Sequence, residues 1–248
     1  IIDNASTDSS LLSIEEKFPQ ADLIKLSSNL GFGQANNVGI KKAYEQDSDY
    51  VFLMNQDVYI EHDTIDCLIK IAETNSDFGI LSPIHLNGNG SELDFSFSNY
   101  IIPGQCKKLY SDAFLQKLAP LYEAPFVNAA AWLLTRKCIE KVGGFSPSFY
   151  HYGEDDNYCK RVLFHGLKIG IAPQSIIYHD REHRTGNIYF DNTALVHKRK
   201  LIKIFSDPFN NQQSVSKVYI ICFKMMLKSL ITLQLKSLKQ HYQTIRIY

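Results

Sequence analysis

Residues 50–57 read YVFLMNQD, an apolar run that stops at two amides and a carboxylate. Five consecutive apolar residues, Tyr50–Met54, are typical of a strand buried on both faces, as in a sheet covered by helices. In open α/β sheets, ligands bind beyond the carboxyl ends of the strands. The stretch therefore predicts an α/β fold with Asn55 and Asp57 at a ligand-binding edge.

Strand and helix signals alternate along most of the remaining chain. Ile1-Ile2 resembles the end of a strand. Strands are predicted at residues 21–26, 49–54, 78–81, 126–134, 168–172 and 175–179, and helices at 11–18, around 38–44, and at 65–72, 137–142 and 154–165. Residues 84–110 alternate weakly and are interpreted as hairpins or loop, and helix is expected beyond Asn192. This alternation predicts a mostly parallel central sheet flanked by helices.

Charge is distributed unevenly along the chain although its formal net charge is zero. Residues 193–248 hold ten Lys/Arg and one Asp, which leaves residues 1–192 with sixteen Lys/Arg and twenty-five Asp/Glu. In a helix, Lys217, Lys224, Lys228 and Lys239 would share one stripe, which suits an anionic membrane surface. The alternative is a helix packed on the body with a solvated lysine face.

The remaining composition is that of a globular protein, with 45% hydrophobic and 21% charged residues. The five cysteines form no C-x-x-C pair and indicate reduced thiols in a cytosolic protein. No uninterrupted apolar stretch is long enough to span a bilayer.

Two predicted strand ends carry the residue types of a nucleotide site. Asn55 and Asp57 are two positions apart, so both point the same way if the chain stays extended. A carboxylate there could bind Mg²⁺ or Mn²⁺ that bridges a diphosphate. Asp3-Asn4 repeats the pattern after Ile1-Ile2. The alternative at both places is an ordinary polar turn.

Two further stretches combine glycine with polar residues. Residues 29–39 read NLGFGQANNVG, a turn that could bring backbone close to a phosphate but that lacks G-x-G-x-x-G. Residues 151–161 read HYGEDDNYCKR, in which three carboxylates, Glu154–Asp156, follow a glycine. These carboxylates could supply a general base, or they could only stabilise a helix N-terminus.

Two aromatic side chains have both a functional and a structural interpretation. His179 ends a predicted strand, where it could be a metal ligand or a single structural histidine. Trp132, the only tryptophan, could pack in the core or form a platform for a sugar or acceptor.

Taken together, these stretches resemble a family 2 glycosyltransferase of the GT-A fold, near its bacterial rhamnosyltransferase-like branch. The resemblance covers roughly Ile1 to Arg184. It is carried, in order, by IIDNASTDSS (1–10), NLGFGQANNVGI (29–40), FLMNQD (52–57) and VGGFSPSFYHYGEDDNYCKR (142–161), with a closing histidine at 179. FLMNQD is similar to the strand ending L-L-N-P-D, the branch's form of the metal-binding D-x-D.

The resemblance implies a role for each matching residue. Asp155 would be the catalytic base, and Glu154 would contact the acceptor. Trp132 is also predicted to contact the acceptor, but from its position at a strand end and not from the resemblance. The nucleotide-sugar would be bound by Asp3, Asn4, Asn29, Gly31, Asn37 and Asn55. Asp57 and His179 would hold Mg²⁺ or Mn²⁺.

The implied activity is inverting, metal-dependent transfer of a sugar from a nucleotide-diphospho-sugar, dTDP-rhamnose or a UDP-sugar. The acceptor would be lipid-linked or a polysaccharide in cell-surface glycan synthesis, with no nucleic acid involved. The protein would be cytoplasmic and peripheral at the inner face of the bacterial plasma membrane. The alternative is a non-catalytic sugar-nucleotide-binding or membrane-scaffold domain.

The expected organisation is a GT-A domain over residues 1–190 and a helical, basic region over residues 191–248. The family's first strand, with its I-P-x-Y/F-N-R-like segment, is not matched. The chain is therefore expected to be N-terminally truncated by a strand and a helix, about 30 residues. Asn55-Gln56-Asp57 has one carboxylate where many members have two.

Overall fold

The computed structural model describes residues 1–181, 192–210, 216, 219–224, 226 and 227. The chain divides into two units, Ile1–His183 and Arg184–Tyr248. The boundary predicted between residues 190 and 191 lies outside the described residues.

The first unit alternates strands and helices, as predicted for an α/β fold. In chain order its elements are β1 (Ile2–Asp3), α1 (Ser10–Lys17), β2 (Ile24–Lys25), α2 (Phe32–Glu45), β3 (Tyr50–Met54), β4 (Val58–Ile60), α3 (Thr64–Thr74), β5 (Phe78–Asn87), α4 (Phe95–Ser98), α5 (Leu109–Phe114), β6 (Tyr122–Glu123), β7 (Ala131–Thr135), α6 (Arg136–Val142), α7 (Glu154–Phe164) and β8 (Lys168–His179). The α/β class is confirmed.

The central sheet is mixed, which corrects the expectation of a mostly parallel one. Its order is β3-β7-β5-β8-β4, with β6 also paired to β8. Among its described strands only β5 and β8 are parallel, and the other pairings are antiparallel. β1 and β2 form a separate parallel pair. Between β5 and β7 the chain forms α4, α5 and β6. β7 then runs antiparallel to both β3 and β5. A parallel pairing would require a crossover connection instead.

Several predicted elements differ from the observed ones. β7 begins at Ala131, so residues 126–130 are loop, and the two strands predicted over 168–179 are one, β8. That strand stays paired with β5 across a register shift between Pro83 and Ile84. The hairpins or loop expected in 84–110 are confirmed in part: β5 runs on to Asn87, the chain turns back so that Leu86 and Leu93 form an antiparallel bridge, and two short helices follow.

The core lies on both faces of β7. Trp132 on this strand is fully buried and stacks on Phe145 at 6.0 Å between ring centroids. Tyr158 and Cys159 of α7 pack into the same core. Burial raises the pKa of Cys138 to about 12, so this thiol stays neutral, and all five cysteines are free thiols as predicted. These contacts fix the start of α7 against the sheet.

The second unit begins, where it is described, with a helix, α8 (Thr193–Phe205). The Asn192 side chain caps it by accepting from the N–H of Ala194 at 3.0 Å. Leu201 and Cys222 are buried together beside Ile204. Of the predicted lysine stripe, Lys224 is helical and exposed. The other three members, Lys217, Lys228 and Lys239, lie outside the described residues.

None of the helices in the described part of the chain combines the length and hydropathy that crossing a membrane requires.

Candidate active site

Asp57 and His179, the predicted metal ligands, lie next to each other. β4 pairs with the end of β8, which sets Val58 opposite His179. The N–H of Asp180 donates to the carbonyl of Asp57 at 2.8 Å and continues this pairing. As a result, Oδ1 of Asp57 is 3.5 Å from Nε2 of His179, whose side chain is 2% exposed.

A second carboxylate, Asp94, lies on the other side of the imidazole and was missed by the sequence interpretation. Its Oδ2 is 3.6 Å from Nδ1 of His179 and 3.3 Å from Nε of Arg181. Its Oδ1 accepts from the N–H of Phe97 at 2.8 Å and caps α4. The buried Asp94 side chain therefore fixes the position of both His179 and Arg181.

A second buried histidine, His85, lies next to His179. Its ring stacks on Phe97 with 4.4 Å between centroids and lies edge-on to His179 at 6.2 Å. Burial lowers the pKa of His85 well below its usual value, and the charges of His179 and Arg181 lower it further. The neutral His85 ring therefore packs against His179, one of the two predicted metal ligands.

The residues at this edge fit a divalent cation that substrate helps to hold. No group of three or more His, Cys, Asp or Glu side chains among the described residues could hold a metal alone. Two donor atoms 3.5 Å apart can share one ion, because Mg²⁺ binds at about 2.0–2.1 Å and usually takes its other ligands from water and phosphate. The carboxylate behind His179 is also the usual partner of a metal-ligating histidine.

We expect Asp94→Asn to weaken Mn²⁺ binding about 10- to 100-fold, the usual cost of losing an outer-shell partner. Asparagine keeps an oxygen that can accept from Phe97, so α4 should stay capped. Calorimetric titration with Mn²⁺ in the presence of UDP measures the effect. The control is Asp63→Asn, since Asp63 is exposed and its side chain makes no cap bond. Equal Mn²⁺ affinity in both variants would contradict the role of Asp94.

The loops that follow β1 and β2 are locked together by two predicted nucleotide residues, Asn4 and Asn29. Oδ1 of Asn4 accepts from the N–H of Leu30 at 2.8 Å, and its amide donates to Oδ1 of Asn29 at 3.1 Å. Oδ1 of Asn29 also accepts from the N–H of Gly31 at 2.9 Å. The structure therefore brings Asn4, Asn29 and Gly31 into one cluster.

Gly31 is required by both backbone conformation and space. Its φ is +81°, and a Cβ there would lie 2.0 Å from the carbonyl oxygen of Tyr150. The Tyr150 hydroxyl donates to Oδ1 of Asn29 at 3.2 Å. Tyr150, which was not singled out in the sequence, thus joins this cluster to the segment before α7.

We expect Gly31→Ala to lower the free energy of unfolding by about 2–6 kcal/mol, since left-handed strain and overpacking each cost about 1–3 kcal/mol. Urea denaturation followed by circular dichroism measures the loss. Gly104→Ala is the matched control, because a Cβ at Gly104 meets nothing within 4 Å. A similar stability of the two variants would contradict the close approach of Tyr150.

The other predicted nucleotide residues have mixed surroundings. Asp3 is buried, and both its oxygens lie within 3.3 Å of the N–H of Ser6. The Asn37 side chain donates to the carbonyl of Phe145 at 2.9 Å and accepts from its N–H at 2.7 Å. Asn37 therefore holds the turn before α7. Asn55 is partly buried, and its backbone N–H donates to Ala130.

The three carboxylates Glu154, Asp155 and Asp156 form the first turn of α7. Glu154 is 4% exposed and lies close to Gly33 of α2. Asp155 is partly exposed, and its Oδ1 accepts from the N–H of Asp156 at 2.8 Å. Asp156 pairs with Lys160 at 3.4 Å. Of the two side chains assigned to chemistry, Asp155 is the accessible one.

Trp132 does not form a surface platform, which corrects one interpretation of the sequence. Its side chain has no exposed surface and packs between Phe145 and Tyr158. β7 is paired along both edges, to β3 and β5, and both of its faces are buried because Trp132 and Leu134 pack in one core cluster and Leu133 in another. An acceptor cannot touch this ring, so Trp132 is a core residue.

The pKa of Tyr100 depends on charges from two parts of the candidate site. Burial raises the pKa of its phenol, and the negative charge of Asp155 raises it further. The positive charge of Arg181 lowers that pKa, and the charge of Asp94 raises it. The pKa of this partly buried phenol therefore responds to Asp155 at the start of α7 and to Arg181 and Asp94 beside His179.

Comparison with protein families identifies the architecture. The family model described as glycosyl transferase family 2 matches residues 1–143, more than half of the chain. The chain belongs to glycosyl transferase family 2. A second model, described as the N-terminal domain of galactosyltransferase, matches residues 112–184, which include α7 and β8 of this family 2 chain.

Curated relatives of the family 2 chain are named glycosyltransferases, and the chain is accordingly a glycosyltransferase. It is 24% identical over 222 residues to the N-acetylglucosaminyl-diphospho-decaprenol L-rhamnosyltransferase of Mycobacterium tuberculosis, with 82% of this chain and 72% of the relative covered. It is 23% identical over 163 residues to the rhamnosyltransferase WbbL of Escherichia coli, covering 62% of each. The predicted rhamnosyltransferase-like resemblance is confirmed.

A solved structure supports the GT-A fold of the family 2 chain. It is described as the crystal structure of GalNAc-T7 with UDP, GalNAc and Mn²⁺, and it matches with a TM-score of 0.54 and 13% identity. The match covers 84% of this chain and 44% of that one, so this chain spans less than half of the neighbour's length.

Two of the missed residues left signals in the sequence of this family 2 chain. Asp94 stands three residues before Phe97, the spacing of an N-cap, ahead of two aromatic residues in FSF. Arg181 follows His179 by two positions, so the strand end predicted at His179 already placed a cation nearby. Neither signal could indicate that Asp94 and Arg181 would be in contact. Their contact depends on the pairing of β5 with β8, which local sequence does not reveal.

Proposed function

We propose that this glycosyltransferase moves a sugar from a nucleotide-diphospho-sugar to an acceptor hydroxyl in one direct displacement that inverts the anomeric carbon. The proposal rests on one observation above all. Oδ1 of Asp57 lies 3.5 Å from Nε2 of the buried His179, and Asp94 lies 3.6 Å from the other ring nitrogen. A cation and the donor diphosphate that it neutralises could therefore be held at this edge of the sheet.

Asp155 is the proposed general base. Its carboxylate lies in the first turn of α7 and is partly exposed, so an acceptor hydroxyl can approach it. Removing the hydroxyl proton increases the nucleophilicity of the oxygen as it attacks the sugar. Glu154, which is buried beside the base, is proposed to contact the acceptor or to support the turn that presents Asp155.

Asp57 and His179 are proposed to hold Mg²⁺ or Mn²⁺ together with the donor diphosphate. Their donor atoms lie 3.5 Å apart. When bound, the cation would neutralise charge that develops on the departing diphosphate. Arg181 adds a positive charge beside them, and Asp94 and His85 keep the imidazole in place.

The nucleotide is proposed to lie against the loops after β1 and β2. Asn4, Asn29 and Gly31 come from these loops, Asp3 is the last residue of β1, and Asn55 follows β3. The hydrogen bonds of Asn37 to Phe145 support an indirect role, since that amide already holds the turn before α7.

The proposed acceptor is lipid-linked or a polysaccharide, and the proposed donor is dTDP-rhamnose or a UDP-sugar. The relatives named above are rhamnosyltransferases, and one is named for a decaprenol-linked acceptor. The excess of positive charge in residues 193–248 supports peripheral attachment at the inner face of a bacterial plasma membrane.

The experiment is a transfer assay with dTDP-rhamnose, UDP-galactose and UDP-N-acetylglucosamine on a diphospho-prenol acceptor. Mn²⁺, Mg²⁺ and EDTA are compared, and nuclear magnetic resonance gives the anomeric configuration of the product. Metal-dependent transfer with inversion supports the proposal. A retained configuration, or equal rates in EDTA, would contradict it, and nucleotide binding without turnover would favour a non-catalytic domain.

A further inference from the structure

The segment that connects β5 to β6 exposes an unusual amount of apolar surface. We define the α4–α5 surface as the exposed side chains of Phe95, Ile102, Tyr110, Phe114, Leu115 and Leu118. Phe95 is 85% exposed and Phe114 is 89% exposed. Phenylalanines on a monomer are rarely left in water to this degree, and contiguous apolar patches usually mark an interaction site.

These side chains are exposed although the segment is firmly anchored. Phe97, Ile101, Cys106 and Leu109 alternate with them and are at most 4% exposed. The Tyr110 hydroxyl donates to the carbonyl of Ser98 at 3.5 Å, which joins α5 to α4. The exposed side chains thus belong to a fixed segment whose alternate side chains are buried, and Tyr110, Phe114 and Leu115 of this set line a shallow pocket at α5.

Within the segment itself, positive charges outnumber negative ones. Residues 95–118 contain the exposed lysines Lys107, Lys108 and Lys117 and a single acid, Asp112. Asp112 faces inward, where its Oδ2 accepts from the Tyr122 hydroxyl at 2.9 Å. Aromatic and aliphatic side chains bordered by lysines match the interface of an anionic bilayer, where rings enter the acyl boundary and ammonium groups meet phosphates.

We propose that the α4–α5 surface inserts into an anionic lipid membrane. The surface begins beside the active site, because Phe95 stands between Asp94 and Ser96, and both of these contact Arg181. Membrane contact here would bring the site close to the headgroup layer, where the diphosphate of a lipid-linked acceptor lies. This last step rests on the proposed function, but the membrane contact itself does not.

The test is co-sedimentation of the full chain with vesicles of phosphatidylcholine alone and of phosphatidylcholine with phosphatidylglycerol. We expect binding only to the anionic vesicles, weakening with salt. Phe95→Ser with Phe114→Ser should lower the partition coefficient by at least about tenfold, given the apolar area removed. Phe18→Ser with Phe164→Ser, at phenylalanines 52% and 53% exposed elsewhere, should leave it unchanged.

Three outcomes would overturn the proposal. First, the parent chain could fail to bind anionic vesicles. Second, the Phe95/Phe114 variant could bind as well as the parent, and this result would assign binding to residues 193–248. Sedimentation velocity could instead show a dimer that this variant dissociates, and the surface would then belong to a second copy. Transfer to a water-soluble acceptor should persist in the variant. Failure of the proposed function would appear as no transfer by the parent, independently of vesicle binding.

Discussion

Asp155→Asn should lower the rate of sugar transfer about 10²- to 10⁴-fold, the range that a general base contributes, while nucleotide binding stays intact. The asparagine oxygen can still accept from the N–H of Asp156, which the carboxylate does at 2.8 Å, so the first turn of α7 should keep its geometry. Only the ability to take a proton is lost. Initial rates and nucleotide affinity, measured on the same preparation, separate the two effects.

The neighbouring carboxylate provides the control for this prediction. Asp156 is one position along the same helical turn and pairs with Lys160 at 3.4 Å. Asp156→Asn should therefore change the rate of transfer little. If Asp155→Asn keeps its activity and Asp156→Asn loses it, the base is Asp156, and the assignment by resemblance is wrong by one residue.

Local pattern was enough to predict the elements that carry the proposed base and the first metal ligand. The residues before Gly166 are α7, because burial of one helix face imposes a period on the sequence. The apolar run at residues 50–54 is β3, but the predicted burial on both faces is wrong, since β3 is an edge strand of the described sheet with Leu53 buried and Met54 exposed. The pairing of strands carries no such local period. β7 enters the sheet antiparallel, so the sheet is mixed where alternation of helix and strand suggested a mostly parallel one.

Trp132 illustrates a signal that was available but was given too little weight. Residues 129–134 read AAAWLL, apolar at every position, which is typical of a strand buried on both faces. Such a strand has no exposed face from which a ring could meet an acceptor. The pattern already predicted that Trp132 is buried, whereas the interpretation of the ring as an acceptor platform predicted a contact that the packing excludes.

Asp94 illustrates a residue that local pattern could not connect to the site. It lies 85 residues before His179 in the chain. The parallel pairing of β5 with β8 aligns Asn87 with His179, and the turn after β5 then returns Asp94 to the imidazole. The β4 strand is similar, since three residues acquire strand geometry only through pairing with β8. Contacts of this range depend on the register of the whole sheet.

Asp57→Ala should abolish the metal-dependent part of nucleotide binding. Changing an outer-shell partner of a metal ligand costs about 10- to 100-fold in affinity, so loss of the ligand itself should cost more than about 100-fold. Calorimetric titration with UDP and dTDP, with and without Mn²⁺, measures this directly. Asp57→Asn, closer in shape to the original side chain, shows whether the charge or the volume is responsible.

Asp180→Ala is the matched control for Asp57. Asp180 is exposed, follows His179 directly, and its N–H donates to the Asp57 carbonyl, so the two positions share the same backbone pairing. Removal of its carboxylate changes the local charge by the same amount. If both variants lose affinity equally, the effect is one of net charge, and Asp57 does not hold a cation. A loss confined to Asp57 would explain why an apolar strand ends in Asn-Gln-Asp: the carboxylate is placed beside His179 to bind a cation and its diphosphate.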